Sequence, residues 1–251
     1  MAAELLESDA RYFELGARIE PSSGFDLVWV PGFTHLSAGC VVQRATATEP
    51  PSTWLRNAEA DFARVGARWN RIYLTSPAPG LEVLLAARGY RCRREIGFLS
   101  PSGTAPAEPE TTWRPVLDAE DWQIPARMRQ QGGLNSDGYR TSPQEWMALM
   151  RLKHQTGEQE PFLLMRGNAV CGEVSVMDRP GMLRLKNLFV APEWRGKGVG
   201  VDAAHLVWRE AIRRGKAAAG VFGLEGEPGS SVYSRAGFIA TTDQVEWSVE
   251  R

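Results

Sequence analysis

The sequence predicts an α/β protein with a mixed, mostly antiparallel sheet flanked by helices, preceded by a smaller α/β domain. Two observations carry this prediction. Apolar runs of strand length alternate with stretches of helical period along the 251 residues. A glycine-containing loop, residues 195–200, also follows an apolar run directly and precedes a helical stretch. This strand–loop–helix junction is the most informative feature of the chain.

The domain organisation follows from one segment rich in proline and small residues. It has no apolar periodicity and is typical of a linker. We therefore expect a first domain over residues 1–100, a linker over 101–111 and a second domain over 112–251. Both domains contain helix, strand, short helix and strand in the same order, which we interpret as duplication of one α/β unit.

The second domain is predicted to run β-α-α-β-β-β-loop-α-β-α-β. Asp118 and Asp121 favour a helix start at 118, and Ser142 followed by Pro143 favours another at 142. The dipeptide at Gly167 indicates a hairpin between two strands. The predicted strands are 112–116, 162–166, 169–177, 183–190, 217–222 and 244–249, and the longer helices are 118–129, 142–153 and 199–214.

Composition excludes several classes of function. A net charge of −1 provides no strongly basic surface, so we expect neither nucleic acid nor an anionic membrane as a partner. No stretch approaches the roughly 20 apolar residues of a membrane span, and the acidic first residues do not resemble a signal peptide. The three cysteines, Cys40, Cys92 and Cys171, form no CxxC pair. We therefore expect a cytoplasmic protein without a disulfide framework or a metal site.

The loop at residues 195–200 has the physical features of a phosphate site. Small residues at a strand–helix junction allow main-chain N–H groups to point outward together. The helix start adds unpaired donors and a partial positive charge. The loop matches neither the G-x-x-x-x-G-K-[S/T] nor the G-x-G-x-x-G pattern, so other common nucleotide sites are excluded.

The stretch LFVAPEWRGKGVG, followed by VYSRAGF, resembles the GNAT acyltransferase superfamily. The hallmark of that family is [R/Q]-x-x-G-x-[G/A] between a strand and a helix, and the resemblance covers about residues 112–251. It implies acetyl-CoA or another acyl-CoA as co-substrate, with the pantetheine arm paired against the preceding strand. The coenzyme-contacting residues it implies are Leu188, Phe189, Val190, Arg195, Gly196, Lys197, Gly198, Val199 and Gly200. One departure is Gly226, where many members have asparagine.

Two residues are candidates for acid–base catalysis. The resemblance implies that Tyr233 is the general acid, because a phenol stays protonated at neutral pH and can donate to the leaving thiolate. Packing of Tyr233 as an ordinary aromatic is the alternative. Glu173 is the best candidate for the base, with a solvent-facing carboxylate or a water chain as alternatives. Either Lys186 or Asn187 is expected to face the acceptor cleft, and His205 is expected to be structural.

The first domain repeats the architecture without the chemistry. Its helix is preceded by prolines instead of a glycine loop, and Leu85 stands where the repeat would place Tyr233. We interpret it as a degenerate, non-catalytic GNAT-like half that shapes the acceptor cleft. The expected function is direct acyl transfer, with acetyl as the expected group, to the primary amine of a small molecule or peptide. The alternatives are transfer of a longer acyl chain to a peptide or protein amine, and a non-catalytic acyl-CoA sensor. A monomer or homodimer is expected.

Overall fold

A computed structural model of the protein describes residues 1–46, 49–132 and 142–251. The chain divides into two compact units. The C-terminal unit consists of Met1–Leu5 and Gly97–Thr242, and the N-terminal unit of Leu6–Ile96 and Asp243–Arg251. The domain boundaries expected from the sequence, at residues 100 and 112, stay a prediction.

The order of helices and strands confirms the mixed α/β class. Up to residue 99 the elements are α1 (Ala2–Glu14), β1 (Arg18–Ser22), β2 (Phe25–Trp29), β3 (Cys40–Gln43), α2 (Pro51–Arg64), β4 (Trp69–Leu74), α3 (Pro79–Ala87) and β5 (Arg91–Leu99). From residue 112 they are β6 (Thr112–Pro115), α4 (Ala119–Gly132), α5 (Pro143–His154), β7 (Gln159–Arg166), β8 (Ala169–Asp178), β9 (Met182–Val190), α6 (Val199–Arg213), β10 (Ala218–Leu224), α7 (Pro228–Arg235) and β11 (Ile239–Glu250). The second series has the predicted order.

The sheet of the C-terminal unit has the strand order β5-β10-β9-β8-β7-β6. Strands β6 to β9 are antiparallel neighbours, whereas β9 and β10 are parallel. The turn between β7 and β8 contains Gly167 at a φ of +56°, as the predicted hairpin requires. Helix α6 packs on this sheet through a stripe of buried residues at helical spacing: Ala203, Ala204, Val207, Trp208 and Ala211.

Local sequence signals determine where the helices of this unit begin. The Asp118 carboxylate accepts hydrogen bonds from the N–H groups of Glu120 and Asp121, both at 2.9 Å. The Ser142 hydroxyl accepts from the N–H of Glu145 at 3.5 Å, directly before α5. Each side chain satisfies a main-chain donor that the helix leaves without an internal partner.

The N-terminal unit has the strand order β1-β2-β3-β4-β11, followed by β5. Strands β3 and β4 are parallel, and β4 pairs antiparallel with residues 245–250 of β11. Helix α2 buries Trp54, Ala58 and Phe62 at a spacing of four residues. These side chains pack in one core with Ile72 of β4 and Leu85 of α3.

The described residues were also compared with the requirements of a membrane-spanning helix and of a metal site. None of their helices has the length and apolar character to span a membrane. They also contain no group of three or more His, Cys, Asp or Glu side chains arranged to hold a metal ion. Cys40 and Cys171 are buried and Cys92 is exposed, all three as free thiols.

The core of the N-terminal unit can be tested with a matched pair of truncations. Phe62 is fully buried, and Phe62→Ala should reduce the free energy of unfolding by about 3–5 kcal/mol because a cavity remains. Val83, on α3, is 69% exposed, and Val83→Ala should change it by less than about 0.5 kcal/mol. Urea denaturation measures both. Equal effects of the two truncations would contradict the described core.

Candidate functional site

The candidate site lies where the parallel strands β9 and β10 of the C-terminal unit separate. The two strands pair only over Met182–Arg184 and Ala218–Gly220. Beyond Arg184, β9 continues to Val190 without pairing with β10. This edge of β9 therefore pairs with no strand and can accept an extended ligand, although the carbonyl oxygens of Leu185 and Val190 already accept from Arg184 and Arg195. The predicted contact residues Leu188, Phe189 and Val190 belong to this part of β9.

A β-bulge lies in the same part of β9. The register between β8 and β9 shifts between Glu173 and Ser175, so that one residue of β8 lies opposite two of β9. Asn187 within the bulge has a φ of +54°, a left-handed conformation that asparagine adopts more readily than most residues. Bulges bend a strand and redirect it. The bulge lies within the part of β9 that does not pair with β10.

The loop between β9 and α6 leaves several main-chain donors available. Gly196 and Gly198 have φ values of +75° and +84°, which side chains other than glycine rarely adopt. Within the described residues, no main-chain acceptor bonds the N–H groups of Gly196, Gly198, Val199 or Gly200. These donors lie at the start of α6, where the helix dipole adds partial positive charge. The loop is thus a suitable site for a pyrophosphate.

Cationic side chains surround the loop. The Arg195 Nε donates to the carbonyl oxygen of Val190 at 3.1 Å, and the Lys197 Nζ lies 5.1 Å from the centre of the Trp194 ring. Arg166 of β7 also approaches it, because its Nη2 is 3.7 Å from the position that a Cβ on Gly198 would occupy. Sequence reasoning missed Arg166, since an arginine at the end of a strand carries no distinguishing signal.

Tyr233 lies inside the C-terminal unit on α7, with 7% of its surface exposed. Its ring is 5.9 Å from that of Phe98 and 6.5 Å from that of Phe238, measured between centroids. Burial raises the pKa of the Tyr233 phenol to about 12, and the positive charge of Arg184 acts in the opposite direction. The hydroxyl therefore stays protonated at neutral pH. Its role as an acid stays a prediction.

Glu173 lies on β8 and is buried rather than solvent-facing. The Nε and Nη2 atoms of Arg129 both lie 2.5 Å from its Oε1. Burial raises the pKa of the Glu173 carboxyl, and the Arg129 charge opposes the rise. The structure thus places Glu173 in an ion pair within the unit, and its role as a base stays a prediction. The partner, Arg129, was not among the residues singled out from the sequence.

Two other residues considered in the sequence analysis, Gly226 and His205, have defined surroundings. Gly226 has a φ of +77° in the turn before α7, and the Ser230 hydroxyl donates to the carbonyl oxygen of Leu224 near that turn. The Nε2 atom of His205 is 3.2 Å from the carbonyl oxygen of Ala236, a contact that fits a structural role. Whether Lys186 or Asn187 faces the acceptor stays a prediction.

A further titratable group of this unit escaped the sequence analysis. Lys153 is fully buried on α5. Burial lowers the pKa of Lys153 to about 7, and the like charge of Lys186 on β9 adds to the effect. Its amine consequently changes protonation near neutral pH. In the sequence it is one of three basic residues at the end of a helix, a common arrangement.

The fold is shared with known structures although the sequence is not. No protein-family model matches the chain, and no curated protein is similar to it in sequence. A functionally unknown conserved protein from Staphylococcus epidermidis superposes with a TM-score of 0.69 at 11% identity, over 94% of this chain and 95% of its own. A GCN5-related N-acetyltransferase from Kribbella flavida gives 0.69 at 16% identity, over 99% and 95%.

A tandem GNAT protein from the clavulanic acid biosynthesis pathway gives a TM-score of 0.59 at 13% identity, over 98% of this chain and 87% of its own. The protein therefore has the fold of the GCN5-related N-acetyltransferases, over nearly its whole length. This confirms, at the level of the fold, the GNAT resemblance expected from the sequence, and one of the similar structures has the tandem arrangement.

The loop can be tested by adding a single methyl group. Gly198→Ala places a Cβ on a left-handed residue at a strain of about 1–2 kcal/mol, which the free loop relieves by leaving this conformation. Because the loop must regain the conformation to bind, the affinity for coenzyme A should weaken about 5- to 30-fold. Gly229→Ala is the control, because its Cβ would have open space and its φ is not positive. Isothermal titration calorimetry measures both affinities. An unchanged affinity for Gly198→Ala would remove the loop from the site.

Proposed function

We propose that the protein is an acyl-CoA-dependent N-acyltransferase that transfers an acyl group, with acetyl as the expected one, to a primary amine. One observation carries the proposal: the unpaired edge of β9 leads directly into a loop whose N–H groups are available at the start of α6. Coenzyme A has an extended pantetheine arm that ends in a pyrophosphate, so the arm would lie along the edge of β9 and the pyrophosphate in the loop. The likeness in fold to a GCN5-related N-acetyltransferase supports the same class.

Coenzyme binding is assigned to residues of the C-terminal unit. Main-chain groups of Leu188 and Phe189, on the part of β9 that does not pair with β10, and the N–H of Val190 would hold the pantetheine arm by strand-like hydrogen bonds. The N–H groups of Gly196, Gly198, Val199 and Gly200 would hold the pyrophosphate, assisted by the charges of Arg195 and Lys197. The fit rests on positive φ values and unused donors in the loop.

The proposed chemistry is direct attack without a covalent enzyme intermediate. The nitrogen of the neutral amine forms a bond to the thioester carbonyl carbon, and the carbonyl oxygen becomes an oxyanion that main-chain N–H groups of β9 can stabilise. The C–S bond then breaks, and Tyr233 donates its phenolic proton to the leaving thiolate. The proton lost by the amine passes to Glu173 or to water.

The N-terminal unit is proposed to be non-catalytic. Its helix α2 begins at Pro51 and follows Pro50, two residues without a main-chain N–H to offer an anion. Leu85 on α3, the counterpart of Tyr233 in the repeat, is fully buried in the core of that unit. The repeat therefore preserves the order of elements without the groups that acyl transfer requires.

The function is tested by identifying products. The full chain is incubated with acetyl-CoA and longer acyl-CoAs together with a mixed pool of small amines and peptides, and acylated products are identified by mass spectrometry. A small-molecule or peptide product defines the acceptor class, and the acyl chain in it defines the donor. Binding of acyl-CoA without any product across the pool would favour the sensor alternative.

The proposed acid makes a mutational prediction. Tyr233→Phe removes only the hydroxyl and should lower kcat about 10- to 1000-fold, the range expected for one acid contribution, with little change in the Kd of coenzyme A. Tyr90→Phe is the control, because the Tyr90 hydroxyl accepts from Asn70 within the N-terminal unit. Steady-state kinetics and calorimetry separate the two effects. Unchanged turnover in Tyr233→Phe would exclude the role.

The same residue makes a prediction for pH. Because burial raises the pKa of Tyr233 to about 12, its acid form persists well above the usual value. Once an amine acceptor is saturating, kcat should therefore stay level through pH 10, where an ordinary phenol of pKa about 10 would be half ionised. Circular dichroism verifies folding at each pH. A loss of half the activity at pH 10 in the folded enzyme would contradict this.

A further inference from the structure

The aromatic ring of Phe189 lies within about 6 Å of two guanidinium groups of the C-terminal unit. Arg129 of α4 is 4.7 Å from the ring centroid, and Arg195, the first residue of the loop, is 5.7 Å from it. Phe189 itself is 5% exposed. Cations at these distances from a desolvated ring are attracted to its face. The ring therefore connects a buried helix residue with the loop.

Arg129 is held from two other directions. Its guanidinium is bonded to the Glu173 carboxylate and lies 5.4 Å from the centre of the Trp146 ring. Only 2% of its surface is exposed. Glu173 and Phe189 are directly opposite each other in the β8–β9 register, next to the bulge. Arg129 is thus held by Glu173 and Phe189, which lie opposite each other on β8 and β9, and by Trp146 of helix α5.

The first residue of the loop contacts the same part of β9. Arg195 stacks on Phe189 and donates from Nε to the carbonyl oxygen of Val190, the next residue of β9. In turn, the N–H of Ala191 donates to the carbonyl oxygen of Cys171 on β8. A shift of the Phe189 ring would consequently change the contact that positions Arg195 at the loop entrance.

We propose that Arg129 is a positioning residue for the coenzyme site, which holds the Phe189 ring and, through it, Arg195 and the pyrophosphate loop. The inference rests on the proposed function. Arg129 acts from within the unit and through Phe189, so it should affect coenzyme affinity rather than the chemical step. This assigns to the Arg129–Glu173 pair a role separate from proton transfer.

The test replaces the flat guanidinium and keeps the positive charge. Arg129→Lys retains a cation beside Glu173 and loses the planar group that covers the ring. The Kd of coenzyme A and the KM of acyl-CoA should rise about 3- to 30-fold, while kcat changes less than about 2-fold. Arg127→Lys, two residues earlier on an exposed part of α4, is the matched control and should change neither. Calorimetry on the full chain gives the Kd without requiring turnover.

A second pair of variants distinguishes the positioning role from loss of folding and from a role of Glu173 as the base. Removing Arg129 alone would strand a buried carboxylate, so Arg129→Gln is combined with Glu173→Gln, which removes both charges together. This double variant should show the same rise in Kd. Glu173→Gln alone leaves the Arg129 charge unpaired and should lower the stability, but it retains an acceptor oxygen for the guanidinium and should leave the Kd unchanged. Thermal denaturation confirms that each variant folds.

Each outcome decides between the hypotheses. A folded Arg129→Lys or double variant that binds coenzyme A as tightly as the unmodified protein overturns the positioning role. A fall in kcat with unchanged Kd also overturns it, because Arg129 would then act on Glu173 as a base. Failure of the unmodified protein to bind coenzyme A overturns the proposed function, and this inference with it.

Discussion

The separation of β9 from β10 is the constraint on which the rest of the candidate site depends. A parallel strand pair with regular hydrogen bonding would run side by side to its end and leave no free main-chain groups. Here the pairing of β9 with β10 stops after Arg184, and the register against β8 shifts beside Glu173. One edge of an interior strand is thereby left without a partner strand, and this edge is the candidate binding surface. Antiparallel pairing of β9 with β8 continues on both sides of the bulge, so the remainder of the strand stays anchored.

The candidate anion site lies next to an acidic residue at the start of α6, and the surrounding charges reduce this conflict. Asp202 lies in the first turn of α6, where a carboxylate stabilises the helix dipole but would repel a pyrophosphate. Its Oδ2 accepts from the Arg166 Nη2 at 3.1 Å and from the Thr111 hydroxyl at 2.7 Å. Arg166 thereby offsets part of the charge of Asp202, since its Nη2 also lies 3.1 Å from the Glu110 Oε2. The positive charges of Arg195 and Lys197 remain at the loop itself.

Local signals in the sequence were sufficient to predict much of the secondary structure of the C-terminal unit. The helix starts at Asp118 and Ser142 and the turn at Gly167 follow from side chains that act within four residues, and the order of elements after residue 112 follows from periodicity. Pairings across the chain were not predictable. The Arg129–Glu173 pair joins residues 44 apart, and a carboxylate in an apolar strand does not reveal its partner. The short strands β1, β2 and β3 were not predicted either, because four or five residues provide too little pattern. Helix α1 was also not predicted.

The pairing of β4 with the last strand has a consequence for how the chain folds during synthesis. Arg68 and Glu250, which form an ion pair at the end of these strands, are 182 residues apart. At typical elongation rates, roughly 10–40 s separate the emergence of the two residues from the ribosome. During that interval one side of β4 has no strand to pair with, and an open β-edge readily recruits other chains. The N-terminal unit is thus synthesised first, but its sheet is completed last. We therefore expect chaperones to be required mainly by this unit.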